Sequence, residues 1–130
     1  MLGSREAVVL DMEASLEHMR RGTVRHVDTM LIVTEPYFRS LETSARLAEL
    51  GREMGLRRVA AVVNKIRSTD EEKAVRDFCD RHSIEVLQLI PFDPEVTRVD
   101  NAGRALLDEA PGSQAVQRIS ELATALEEVA

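Results

Sequence analysis

Tryptophan is absent from this 130-residue sequence, tyrosine occurs once and phenylalanine three times, so aromatic residues make up only 3% of the chain. That scarcity argues against a surface that stacks nucleobases on aromatic rings. Cys79 is the single cysteine, which rules out an internal disulfide and a cysteine-pair metal site within one chain. It also fits a reducing cytosol. Lysine is scarce too, at Lys65 and Lys73 only, and 23 acidic against 17 basic residues give a formal net charge of −6. An acidic chain is poorly suited to phosphate-backbone contacts, so no nucleic acid is expected as a partner. No apolar run approaches the roughly 20 residues of a membrane helix. Met1 to Ala7 lacks the apolar stretch of a signal peptide. The expected setting is the cytoplasm, with no membrane contact.

Hydrophobic residues reach 44%, enough for a packed core and too many for a disordered chain. The length fits one domain over residues 1–130. Four short apolar runs are strand candidates: Ala7–Leu10, Met30–Val33, Val59–Val63 and Val86–Ile90. They are continuous rather than alternating, as in strands covered on both faces of a parallel sheet. Helical patterns lie between them. Leu41, Ala45 and Ala48 share one face of a helix over Ser40–Met54, which Gly55 is placed to end. Thr69 and Glu72 read as a capping box for a helix burying Ala74, Val75 and Phe78, with Cys79 as core filler. Asp93-Pro94 opens a helix toward Leu107. Ser113 caps a last helix with the stripe Val116, Ile119, Ala123 and Leu126. The alternation predicts an α/β fold: a mostly parallel sheet of about four strands flanked by helices, a partial Rossmann-like three-layer arrangement.

Ligands of such sheets sit beyond the C-terminal strand ends. Asp11 to Glu13, Glu35-Pro36, Asn64-Lys65 and Pro91 to Asp93 occupy those places. An acid such as Asp11 at a strand tip suits Mg²⁺ on a nucleotide phosphate, and serves equally as a cap for the next helix. The Asn64 amide offers a donor and an acceptor to a purine edge, or satisfies its own loop backbone. Glu13, Glu17 and His18 are near one another in sequence and admit a metal site, although a solvated charged face is the commoner outcome. A Walker loop, Gly-x-x-x-x-Gly-Lys-Ser/Thr, is present in no register, since neither lysine follows a glycine. This chain therefore cannot build a complete triphosphate site of that type.

Read together, Val8 to Thr23, with Asp11-Met12-Glu13-Ala14 and Glu17-His18 followed by Arg21-Gly22-Thr23, resembles the MinD/ParA-like P-loop ATPases. Within them it is most similar to CooC-type accessory proteins of carbon monoxide dehydrogenase, which support nickel insertion. Val27 to Pro36, Ser40 to Thr43, Val62 to Lys65, Ile90 to Val96 and Ala102 to Leu106 resemble later pieces of the same family in order. The resemblance implies a partial P-loop NTPase fold. It implies ATP and Mg²⁺ as ligands, not held tightly by this chain alone. It places Asp11 as the Walker B acid on the Mg²⁺ hydration shell and Asn64 as the adenine-reading residue, with Pro91 beside it. The candidate cofactor positions are Asp11, Glu13, Asn64, Lys65 and Pro91, and the metal position is Asp11.

The family's Walker half is missing, Ser15 replaces a family glycine, and the family's Cys-x-Cys metal motif has no match. The expected protein is a truncated nucleotide-binding accessory protein linked to metalloenzyme maturation, without ATP hydrolysis on its own. In the family a Walker strand separates the strands matching Ala7–Leu10 and Met30–Val33. The expected partners are therefore a second copy, as a homodimer, or a separately encoded N-terminal half, with a metalloenzyme as client. The alternative is a protein-binding regulatory module on the same scaffold without nucleotide.

Overall fold

A computed structural model describes residues 7–13 and 27–129. Three of the four expected strands form: β1 (Thr29–Thr34), β2 (Arg58–Ile66) and β3 (Glu85–Pro91). They pair in parallel in the order β1-β2-β3, with Ile32 opposite Ala61 and Val63 opposite Leu89. Ala7–Leu10 is not a strand. It has no regular structure, and Val8 and Val9 are 81% and 88% exposed. A strand needs a neighbour to satisfy its N–H and C=O groups. Among the described strands β1 pairs with β2 alone. Asp11 is consequently not at a strand tip.

Among the described residues five helices lie between and after the strands: α1 (Phe38–Glu53), α2 (Thr69–Arg81), α3 (Pro94–Asn101), α4 (Leu106–Glu109) and α5 (Gln114–Val129). Leu41, Leu47 and Ala48 of α1 and Val75, Phe78 and Cys79 of α2 pack on Ile32, Ala61 and Val63, covering one face of the sheet. Ala115 and Leu122 of α5 pack with Val62 and Ile90 on the other. The result is a helix–sheet–helix sandwich, as the alternation predicts. No helix among the described residues is long and apolar enough to cross a membrane.

Several helix ends differ from expectation. α1 starts at Phe38 rather than Ser40 and stops as expected, with Gly55 at φ +81°. Ser68, not Thr69, caps α2: its Oγ accepts from the Glu71 N–H at 3.1 Å while Glu71 Oε2 accepts from the Arg67 N–H at 2.7 Å. The same cap chemistry has moved one residue upstream, to serine, a somewhat better N-cap than threonine, and Val75, Phe78 and Cys79 are the buried residues of the helix. Ala74 is exposed in consequence. The run from Pro94 is broken at Asn101, and Gly103 at φ +66° turns the chain before the short α4. On α5 the packed face is Ala115 and Leu122, while Ile119 is exposed. Val116 and Leu126 of the expected stripe are half-buried and Ala123 is exposed; Gln88 of β3 donates to the Arg118 carbonyl and to Glu121 Oε2 of this helix, both at 3.0 Å.

Candidate functional site

The C-terminal ends of the three parallel strands gather the polar residues that the fold could use on a ligand. β1 ends in buried Thr34, whose Oγ1 lies 2.8 Å from Ser40 Oγ. Ser40 Oγ also accepts from the Glu35 N–H at 2.9 Å, so α1 holds the end of β1 through one hydroxyl. Glu35 is thereby aimed across the strand ends. Its Oε1 is 2.7 Å from Lys65 Nζ at the end of β2, and its Oε2 accepts from the Tyr37 hydroxyl.

β2 departs from regular pairing at this place. Its register with β3 shifts between Val63 and Ile66, and Lys65 has φ +61°. The left-handed region costs a non-glycine residue about 1–2 kcal/mol. Asn64 offsets part of that cost, since its Oδ1 accepts from the Lys65 N–H at 3.0 Å. Irregularities of this kind re-aim side chains and cluster at functional sites. Pairing resumes at Ile66 with Pro91, and the Phe92 N–H donates to the Ile66 carbonyl at 2.8 Å. Asn64-Lys65 and Pro91 thus lie at the ends of adjacent strands. Arg67 sits over the Phe92 ring, its Cζ 4.6 Å from the centroid, adding a cation–π lid to the same edge. Asp93 anchors the loop: Oδ1 accepts from the Glu95 N–H at 3.0 Å and Oδ2 from the Ala115 N–H at 3.2 Å.

Asn64, Lys65 and Pro91 are therefore brought together. Asp11 and Glu13 belong to no strand and are exposed. Glu17 and His18 lie outside the described residues, and no group of three metal-ligating side chains occurs among the described ones. Glu35, Tyr37, Arg67 and Phe92 complete the strand-end cluster. Glu35 and Phe92 had a signal in the sequence, their places just after apolar runs; Tyr37 and Arg67 had none, since their roles depend on side-chain contacts formed in the fold.

The donor set suits a base better than a triphosphate. Asn64 keeps its amide N–H groups and a second Oδ1 lone pair for a purine edge. Lys65, by contrast, is paired with Glu35, whose negative charge beside it opposes a polyphosphate. A cleft of about 150 Å³ beneath Ile66 and Pro91, flanked by Arg76 and Arg118, is smaller than the roughly 300 Å³ at which ligand pockets begin.

No family model matches the chain. An uncharacterised ATP-binding protein of Methanocaldococcus jannaschii is 35% identical over 114 residues, 88% of this chain and 44% of that protein. The carbon monoxide dehydrogenase accessory protein CooC of Rhodospirillum rubrum is 37% identical over 107 residues, 82% of this chain and 40% of CooC. Among solved structures, the cell division protein MinD of Aquifex aeolicus superposes with a TM-score of 0.66 at 27% identity, over 79% of this chain and 45% of MinD. The chain spans less than half the length of each.

Proposed function

This chain is a relative of the MinD/ParA-like ATPases, with CooC among its sequence relatives, and we propose that it supplies the base side of an ATP–Mg²⁺ site. The observation that carries the reading is the convergence of Asn64, Lys65 and Pro91 on adjacent parallel strand ends in a chain 35% identical to an ATP-binding protein. In this proposal the Asn64 amide reads the adenine, and Pro91 with the Arg67–Phe92 pair forms the wall beside it. Asp11, with Glu13 near it in sequence, would hold the hydrated Mg²⁺. The metal supplies charge neutralisation on the phosphates. The chain alone does not hydrolyse ATP, because it carries no Walker loop and its strand-end lysine is engaged by Glu35. We further propose an accessory role in metalloenzyme maturation, cytoplasmic and in assembly with a second polypeptide.

Backbone amide NMR with ATP and Mg²⁺ tests the reading. Shifts confined to Asn64–Arg67 and Phe92–Asp93, lost in Asn64→Ala, are the expected result. Unmoved resonances at those residues would remove the nucleotide. One observation favours a second reading, a protein-binding module without nucleotide: Glu35 and Tyr37 already engage one another and Lys65 at the strand ends. In that case a partner protein, and not ATP, shifts the same resonances.

A further inference from the structure

We propose that the outer edge of β3 is a docking site for an extended acidic segment of a partner protein. The segment adds along the strand and sets a carboxylate between Arg76 and Arg118. The inference does not depend on the nucleotide reading.

Among the described residues β3 pairs with β2 alone. α2 covers one face of the sheet and α5 the other. Each helix sends an arginine into the same cleft of about 150 Å³, Arg76 from α2 and Arg118 from α5, and Gln88 and Leu89 of β3 form part of its wall. The cleft is therefore at the outer edge of the strand, reached from both faces of the sheet. Neither guanidinium is fully spent. Arg76 uses its Nε on Glu72 at 3.3 Å, which leaves both Nη groups. Arg118 is 3.9 Å from Glu121, beyond hydrogen-bond reach. A guanidinium presents its N–H donors in a planar fork that fits a carboxylate.

The backbone at this cleft suits strand addition. The Leu89 N–H donates to Oε1 of the preceding Gln88 at 3.0 Å. A side chain thus does locally what the carbonyl of a neighbouring strand does in a ladder. Gln88 Nε2 in turn donates to the Arg118 carbonyl and to Glu121 Oε2, both at 3.0 Å. Gln88 plugs the edge with its own amide. A bound segment offers the Leu89 N–H a carbonyl in place of that plug, the mode in which extended peptides join exposed sheet edges.

Charge selects the occupant. The cleft wall carries two guanidinium groups against one carboxylate, Glu72, in a chain of net charge −6. An acidic segment gains from that local excess and a basic one does not. A second copy is poorly matched, because the only charged side chain of its β3, Glu85, is engaged by Arg58 at 2.7 Å. The cleft is too small for a nucleotide and has room for a carboxylate side chain. A free small anion meets the arginines but brings no backbone to the edge.

The test uses the full chain without nucleotide and a labelled, capped peptide of about seven alternating threonine and glutamate residues, one strand long. Fluorescence anisotropy reads binding, and hydrogen exchange reads the edge. Saturable binding is expected, with exchange at the Leu89 amide slowed by about tenfold or more. Arg76→Ala and Arg118→Ala should each weaken binding by about fivefold, as for a half-exposed ion pair. Arg46→Ala, at an exposed arginine of α1 outside the cleft, should leave it unchanged. Circular dichroism checks that each variant folds. A peptide with lysine in place of glutamate should not bind. Absence of binding overturns the proposal, as does binding indifferent to both cleft arginines or shared by the lysine peptide. Displacement by inorganic phosphate or free glutamate at the peptide's own concentration, or an unaltered Leu89 amide, would reduce the cleft to a small-anion site and overturn strand addition. ATP binding without peptide docking would overturn this inference and leave the nucleotide reading standing; docking without ATP binding would do the reverse.

Discussion

Asp93→Ala should destabilise the fold more than any other change of one exposed or half-exposed polar residue near the strand ends. Its two carboxylate oxygens accept from the first turns of two helices, Glu95 N–H of α3 at 3.0 Å and Ala115 N–H of α5 at 3.2 Å. Loss of the α3 cap costs about 1 kcal/mol. Ala115 is only 3% exposed, so its orphaned N–H adds about 1–2 kcal/mol. The expected total is roughly 2–3 kcal/mol, or a fall of about 1–2 M in urea midpoint for a small protein's slope. Asp93→Asn retains one carbonyl acceptor and should lose about half as much. Urea titration followed by circular dichroism reads both. A loss below about 0.5 kcal/mol for Asp93→Ala, or equal losses for the two variants, would refute the double cap.

Three further outcomes follow from the packing. Cys79 is buried on α2, and desolvation, with Asp80 nearby, pushes its thiol pKa up; a thiol reagent should leave it unmodified in the native chain and react once on unfolding. Glu85 is held below the usual carboxylate range by the hydrogen bond from Arg58 and then by its charge, against some desolvation. The pair's contribution is therefore complete above the unfolded carboxylate pKa and is lost as pH falls through the lowered folded value. It is worth about 0.2–1 kcal/mol for a partly exposed pair, and Glu85→Gln should flatten that acid limb of a stability–pH profile. A Cβ at Gly51 would lie 2.9 Å from Met30 Cε and 3.0 Å from Val59 Cγ2, so Gly51→Val should cost about 1–3 kcal/mol by overpacking in the same urea assay.

The three strands that pair were legible because each is a β-branched run whose neighbours are supplied by the chain itself. Ala7–Leu10 has the same composition, yet its state depends on a neighbouring strand that composition does not encode. Helix starts were legible to within about two residues, as hydrogen-bonding caps compete locally. Ser68 rather than Thr69 shows this. At the strand ends, Asn64 and Pro91 were readable as residue types at the right places. The Lys65–Glu35 pair was not, because it joins residues 30 positions apart through a left-handed Lys65 that no local pattern announces. The Asn64 side chain also does what a loop asparagine does, accepting from its neighbour's N–H, without spending its amide donors.

Calorimetric titration of the full chain with ATP and Mg²⁺, beside Asn64→Ala, tests the base-side site most directly. Weak saturable binding in about the millimolar range, near −4 kcal/mol, weakened several-fold by Asn64→Ala, is expected. No heat of binding at millimolar ATP, or equal affinity in the variant, contradicts an adenine-reading role for Asn64.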